Sequence, residues 1–142
     1  MSVLLGALTA TTTVSLGLLA HRLLPVLREI AEELAPRLVD GASRGDLVLV
    51  SVFSGVGEET FFRGAVQQEF GLVVASLVFG AVHVGPDRRY LVWTAWALLA
   101  GFTLGALYEI TGGLLAPIFA HSAHNAATLL LWRRSRKGLG DA

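Results

Sequence analysis

Two adjacent carboxylates and an arginine interrupt an apolar run in the stretch SGVGEETFFRG, Ser54 to Gly64. A charge in hydrocarbon costs about 2.5–3.5 kcal/mol on insertion scales, so Glu58, Glu59 and Arg63 need partners or a wet cavity, and they read as functional by default. On a helix Glu59 and Arg63 lie four apart on one face, while Glu58 points roughly 100° away from Glu59. One carboxylate then pairs with the arginine and another faces a site; the bland alternative is a buried ion pair that only locks helix packing. Histidines add to the set. His83 closes FGAVH, and His121, His124 and Asn125 lie in HSAHN. His121 and Asn125 are one turn apart on a common face, with His124 adjacent to it. Any one of these suits a packed histidine bonded to a neighbouring carbonyl. Three separate helices that each carry acid–base groups toward one bundle interior are harder to call accidental. His21, at a helix end, reads as an interface residue.

The elements that position these groups are apolar helices. The 142-residue chain is 54% hydrophobic and 15% charged, with a mean hydropathy of +0.63, which is membrane composition. There is no cysteine, which excludes disulfides, thiol nucleophiles and cysteine metal sites. Met1 to Ala20 lacks the basic start of a secretory signal and reads as a retained first helix. Spans are expected over about 3–20, 46–69, 72–84, 90–108 and 114–132, each judged against the roughly 20 residues that cross a bilayer. Gly85-Pro86 ends the third, and Thr111-Gly112-Gly113 turns the fourth into the fifth. Between the first two, residues 21–41 alternate Leu23, Leu27, Ile30, Leu34 and Leu38 with Arg28, Glu29, Glu32, Glu33 and Arg37, the pattern of an amphipathic interfacial helix. The expected fold is all-α: a polytopic bundle of about five spans with one interfacial helix. It divides into an N-terminal segment 1–45, a core 46–132 and a basic tail 133–142.

The charges sort. All eleven Lys and Arg except Arg63 fall in 21–45, 87–90 and 133–137. Five spans with RRSRK cytoplasmic put every basic stretch on one side and the turns near Gly71 and Gly112 on the other, as the positive-inside rule asks. The chain is therefore expected to be an integral protein of a prokaryotic plasma membrane, with basic loops and C-terminus cytoplasmic.

EETFFR at 58–63, FGAVH at 79–83 and HSAHN at 121–125 resemble the EExxxR, FxxxH and HxxxN motifs of the CPBP family, the CAAX proteases and bacteriocin-processing (Abi) enzymes of membranes. The resemblance covers about residues 46–132, with the motifs in order, and YEITGGLLAPIFAH before the last is similar too. Relatives commonly carry more helices before this core. The resemblance implies an intramembrane endopeptidase of the CAAX prenyl protease 2 type. Peptide hydrolysis needs an activated water, a proton for the leaving amine and oxyanion stabilisation. On the matched positions, Glu58 is the expected base, His83 helps to hold the water, and His121 and Asn125 donate to the oxyanion. Glu59, Arg63, Phe79 and His124 are expected supports. No obligatory cofactor is expected, although Glu58, His83 and His121 would also suit zinc with a water in the fourth position. No HExxH-like pair fixes two ligands on one helix. Expected partners are membrane lipid and a peptide or protein substrate, prenylated in some relatives, and no nucleic acid. Two other classes use the same residues: a silent scaffold or bacteriocin-immunity protein that keeps the fold, and a small ion or proton pathway. One conflict stands in the expected layout. At 1.5 Å per residue from the cytoplasmic ends, Glu58 and His121 lie about 18 Å deep and His83 only about 6 Å.

Overall fold

Proline and glycine set the ends of the helices. Pro25 disfavours helical backbone in the residue before it, and Leu24 is extended (φ −111°, ψ 102°). That ends α1 (Ser2–Leu23) and lets α2 (Pro25–Val39) open on a proline, where its missing N–H costs nothing. A capping box starts α3 (Arg44–Phe61): Ser43 N–H donates to Asp46 Oδ2 at 2.8 Å, and Asp46 N–H to Ser43 Oγ at 3.1 Å. The chain continues through a π turn, Phe62–Val66, into α4 (Gln67–Val82). Within α4, Gly71 adopts φ 82°, ψ 169°, a conformation only glycine holds without strain, and the chain reverses there. A short 3-10 turn, Arg88–Tyr90, leads into α5 (Leu91–Thr111). Gly112, left-handed at φ 67°, ends it and donates its N–H to Tyr108 O at 2.9 Å before α6 (Leu115–Gly140) begins. The computed structural model describes the backbone of residues 1–140 and the side-chain surroundings of 1–136. Of the expected tail, residues 141–142 and the side chains from Lys137 onward lie outside the described residues.

All described regular structure is helical, as expected. Three helical runs are long and apolar enough to cross a membrane: Ser2–Leu23, Arg44–Val82 and Arg88–Thr111. The 39-residue second run contains two of the expected spans, because Gly71 turns it back on itself. The last expected span is α6, whose middle carries His121, His124 and Asn125 and is correspondingly less apolar. It also runs beyond the expected end at Trp132.

α6 lies along α1 and α3, and α4 lies along α5. α1 and α6 are parallel, with Gly6 against Ala116 and Thr13 against His124. α3 is antiparallel to α6, with Gly55 against Ser122. Small residues let the backbones approach: a Cβ on Gly6 would fall 2.8 Å from Ala116 O, and one on Gly101 3.2 Å from Ser76 Cα. The interior is built from Ala116 and Ala120 against Leu104 and Leu107, while Phe53, Phe70 and Ile110 point outward. Large apolar side chains outside and small or polar ones inside are the arrangement of a bundle solvated by lipid. The amphipathic α2 buries Ile30, Ala31, Ala35 and Val39 and leaves Arg28, Glu29, Glu32 and Arg37 exposed.

The charged segments meet at one end of the bundle. Arg136 Nε donates to Asp40 Oδ1 at 2.6 Å and holds that carboxyl below the usual carboxylate range. Arg133 Nε donates to Ala42 O at 3.0 Å, and Arg89 Nη2 to Glu33 Oε2 at 3.2 Å. At the other end Gln68 Nε2 donates to Tyr108 Oη at 3.0 Å, close to the turns at Gly71 and Gly112.

Candidate active site

α3 presents Ser54 and Glu58 on one face, four residues apart, and Ser54 Oγ donates to Glu58 Oε1 at 2.7 Å. Asn125, from α6, donates Nδ2–H to Ser54 Oγ at 3.2 Å. One carboxylate oxygen is thereby oriented by a two-step chain from the facing helix. The other, Glu58 Oε2, is buried and has no hydrogen-bond partner. It lies 3.9 Å from His83 Nε2 and 4.0 Å from His121 Nε2.

Both imidazoles are turned by bonds at their other nitrogen. His83 Nδ1 is 2.7 Å from Phe79 O, which only accepts, so Nδ1 carries the hydrogen and the neutral ring shows Nε2 unprotonated to Glu58. His121 Nδ1 is 2.7 Å from Glu59 Oε1, and a carboxylate fixes the same orientation. Glu59 thus has two tasks. It is fully buried, and its Oε1 also accepts from Arg63 Nη1 at 3.1 Å. Arg63, equally buried, donates Nη2–H to Gly101 O at 2.8 Å, and its guanidinium carbon lies 4.7 Å from the Phe79 ring centre. A buried guanidinium needs this many partners, since an unpaired one would be severely penalised. One turn on, Gln67 donates to Gly105 O at 3.0 Å and to Glu109 Oε1 at 3.2 Å. Arg63 and Gln67, four apart, therefore meet two α5 carbonyls that are also four apart.

Phe79 ties the set together. Its ring stacks edge-on against Phe62 at 4.9 Å between centroids, and lies 4.6 Å from the His83 ring and 6.1 Å from that of His121. His124 faces elsewhere: its Nδ1 is 3.0 Å from Thr13 Oγ1 of α1, and its ring is 6.2 Å from Trp96 of α5. The structure thus brings Glu58, His83 and His121 together, with Asn125 one hydroxyl away. Glu59, Arg63 and Phe79 lie directly behind them, and His124 lies on the α1 side. A cavity of about 310 Å³ opens between α1, α5 and α6, with His83, His121, His124 and Asn125 in its wall beside Trp93, Trp96 and Leu16.

The conflict over depth disappears in this arrangement. Glu58 precedes Gly71 by thirteen residues and His83 follows it by twelve, so the reversal at Gly71 brings the two level. The count measures His83 from a loop assumed to sit at the membrane face, whereas its place is set by the length of α4 after the turn at Gly71. Sequence reasoning also missed three features. Ser54 was recoverable as a hydroxyl four residues before Glu58. Gln67 continues the stripe Glu59–Arg63–Gln67 at spacing four. The π turn, in which Gln67 N–H bonds Phe62 O five residues back, had no signal in the sequence. Such turns mark functional sites often.

The family model for type II CAAX prenyl endopeptidases, Rce1-like, matches residues 42–127. The chain belongs to that family. All three motifs and every side chain just placed around Glu58 except Thr13 and Leu16 lie within the matched residues. The Rce1-like match is the CPBP resemblance carried by the same residues, and it makes this a CAAX protease-type membrane bundle. A relative in Bacillus subtilis, "uncharacterized protein YpbD", is 37% identical over 75 residues, which is 53% of this chain. The chain spans 39% of that relative's length. No solved structure matches it.

Among the described residues, no group of three His, Asp or Glu side chains is drawn together tightly enough to hold a metal ion. The donor types around Glu58 suit zinc. Zinc ligands at about 2.0–2.1 Å and tetrahedral angles sit about 3.4 Å apart, against 3.9 and 4.0 Å here. Tetrahedral partners of a water at about 2.8 Å would sit about 4.6 Å apart, so the observed spacing lies between the two geometries.

Proposed function

We propose that this protein is an intramembrane endopeptidase in which Glu58 activates a water held between its free oxygen and the two histidines. The observation that carries this reading is the buried, unpartnered Glu58 Oε2, 3.9–4.0 Å from two Nε2 atoms whose rings are fixed from behind. Those three atoms cannot all be acceptors toward one water, which has two hydrogens. One member therefore carries a proton, and His121 is the one backed by a buried carboxylate. As the imidazolium it keeps Nδ1–H on Glu59 and presents Nε2–H. The water then donates to Glu58 Oε2 and His83 Nε2, and accepts from His121.

With a peptide carbonyl against this water, Glu58 takes a proton as the oxygen attacks carbon. The carbonyl oxygen becomes the oxyanion. His121 Nε2–H, whose hydrogen bond passes from the water to the carbonyl oxygen as the attack proceeds, and the second Nδ2 hydrogen of Asn125, the one not used on Ser54, are its donors; such donors are worth about 10²–10³ in turnover each. Collapse of the intermediate breaks the C–N bond, and Glu58 returns its proton to the leaving amine. Glu59 and Arg63 hold His121 and the α3–α5 contact, and no obligatory metal is required. The substrate is a peptide or protein reached from the lipid phase, with prenylated and unprenylated tails both in the class tested. The basic end of the bundle, where 21–45, 87–90 and 133–137 converge, is cytoplasmic on this reading.

The test is cleavage of a fluorogenic peptide library, prenylated and unprenylated, by purified protein in lipid nanodiscs. Glu58→Gln keeps shape but cannot accept a proton, so turnover is expected to vanish with the melting temperature unchanged. Full activity in Glu58→Gln refutes the assigned base, and no cleavage by the parent protein supports a silent scaffold instead.

A further inference from the structure

His83 sits where α4 stops being able to hold it. It is the C-cap residue just past the helix, with φ −98° and ψ 15°, and two residues on Gly85-Pro86, which lacks one N–H, keeps the helix from continuing. The ring is fixed by Phe79 O and the carbonyl by Thr94 Oγ1 at 3.1 Å, both from within the core. The segment after His83 is braced from outside. The Tyr90 ring covers Gly85 so closely that a Cβ there would fall 2.2 Å from Tyr90 Cγ, and Tyr90 is buried. Glu33, from α2, accepts from Arg89 Nη2 at 3.2 Å. Arg89 also binds Asp87 at 2.8 Å and approaches Glu29 at 3.8 Å. α2 therefore grips Arg89, next to the Tyr90 that covers Gly85 in the segment after His83, and α2 lies outside the matched residues 42–127.

We propose that Glu33 is a positioning residue for His83, acting through Arg89 and Tyr90, so that the segment before the protease core sets the geometry of the site. This rests on the reading that His83 works with Glu58. Exposed ion pairs contribute little to global stability, so this contact acts mainly on where the loop sits. A displacement of about 1 Å at a reacting group can cost about 10² in rate, and a partial slackening correspondingly less.

The experiment uses the full chain in nanodiscs: parent, Glu33→Gln, Arg89→Gln, the double variant, and Glu33→Asp. Each single neutral variant is expected to lower kcat about tenfold, with KM within about twofold and the melting temperature unchanged. The double variant should be no worse than Arg89→Gln alone, because Glu33 acts through Arg89, and Glu33→Asp should recover part of the loss. Amide hydrogen exchange over 84–90 should rise in Glu33→Gln, and this is read whether or not a substrate is found. Unchanged exchange overturns the inference, as do additive losses in the double variant or a melting temperature that falls together with kcat. Parent-like kcat in Glu33→Gln while Glu58→Gln is dead overturns it alone; an active Glu58→Gln instead removes the reading beneath it.

Discussion

Gly55→Ala links helix contact to chemistry in one atom. Gly55 is buried where α3 crosses α6, and a Cβ there would fall 2.2 Å from Ser122 Oγ, 2.9 Å from Ser122 N and 3.2 Å from Ser122 Cα. The hydroxyl can swing aside, since Ser122 Oγ has no hydrogen bond to lose. The backbone nitrogen cannot. Restoring ordinary van der Waals contact requires α6 to retreat by about 0.5–1 Å, and overpacking of this kind costs about 1–3 kcal/mol. The retreat occurs one residue from His121, across from Glu58, where the gap to be bridged is already 4.0 Å. If a water bridges this gap as proposed, widening it loosens that water, and at about 10² per ångström of misplacement the expected loss of turnover is about 10- to 100-fold. Gly57→Ala is the control. Nothing lies within 4 Å of a Cβ at Gly57, so that variant should gain up to about 0.5–1 kcal/mol from helix propensity and keep its activity. Stability is read by reversible unfolding in mixed micelles and activity by peptide cleavage in nanodiscs. A Gly55→Ala protein as active and as stable as the parent would refute the claim that α3–α6 contact sets the Glu58–His121 spacing.

Removing charge behind the site should separate stability from catalysis. Glu59→Gln or Arg63→Ala strands a buried partner and should destabilise by about 3–5 kcal/mol, measured in the same unfolding assay; an inactive but equally stable Glu59→Gln would mean that the two glutamates exchange roles. If the site works without zinc, elemental analysis of active protein should find no stoichiometric metal. His121→Ala and Asn125→Ala should then lose comparable activity, about 10²–10³ each, whereas one equivalent of zinc stripped together with activity and restored on adding it back would make this a metalloprotease. Cysteines placed singly at positions 88 and 112 should label from opposite sides of the membrane, with 88 cytoplasmic; labelling from one side would end the five-span reading.

What could be read in the sequence was whatever depended on local spacing. The Glu59–Arg63 pair follows from four-residue periodicity, the breaks at Gly71 and Gly112 from glycine's freedom, and the amphipathic α2 from its alternating charges. The Glu58–His83–His121 cluster was legible as a set of motifs but not as a geometry, because helix pairing depends on close approaches between residues far apart, such as Gly55 with Ser122 and Gly101 with Ser76. His121 was expected beside Asn125. Both lie on α6, but their partners are on α3: His121 leans on Glu59, 62 positions away, and Asn125 turns to Ser54. Neither pairing has a periodic signature. The level of His83 was misjudged because residue counting assumes straight helices between flat loops.

The reversal at Gly71 acts as a folding ruler with two arms, and its lengths say where this chain tolerates insertion and deletion. One residue added to or removed from a straight helical arm shifts everything beyond it by about 1.5 Å and turns it by about 100°, which would pull Glu58 and His83 apart. A single extra residue can instead be absorbed as a π turn, and the arm from Glu58 to Gly71, longer by one than the arm to His83, contains one at Phe62–Val66. Length variation among relatives should therefore spare 58–83 and collect at the hinges around residues 40–43 and 112–114, which bear on neither arm.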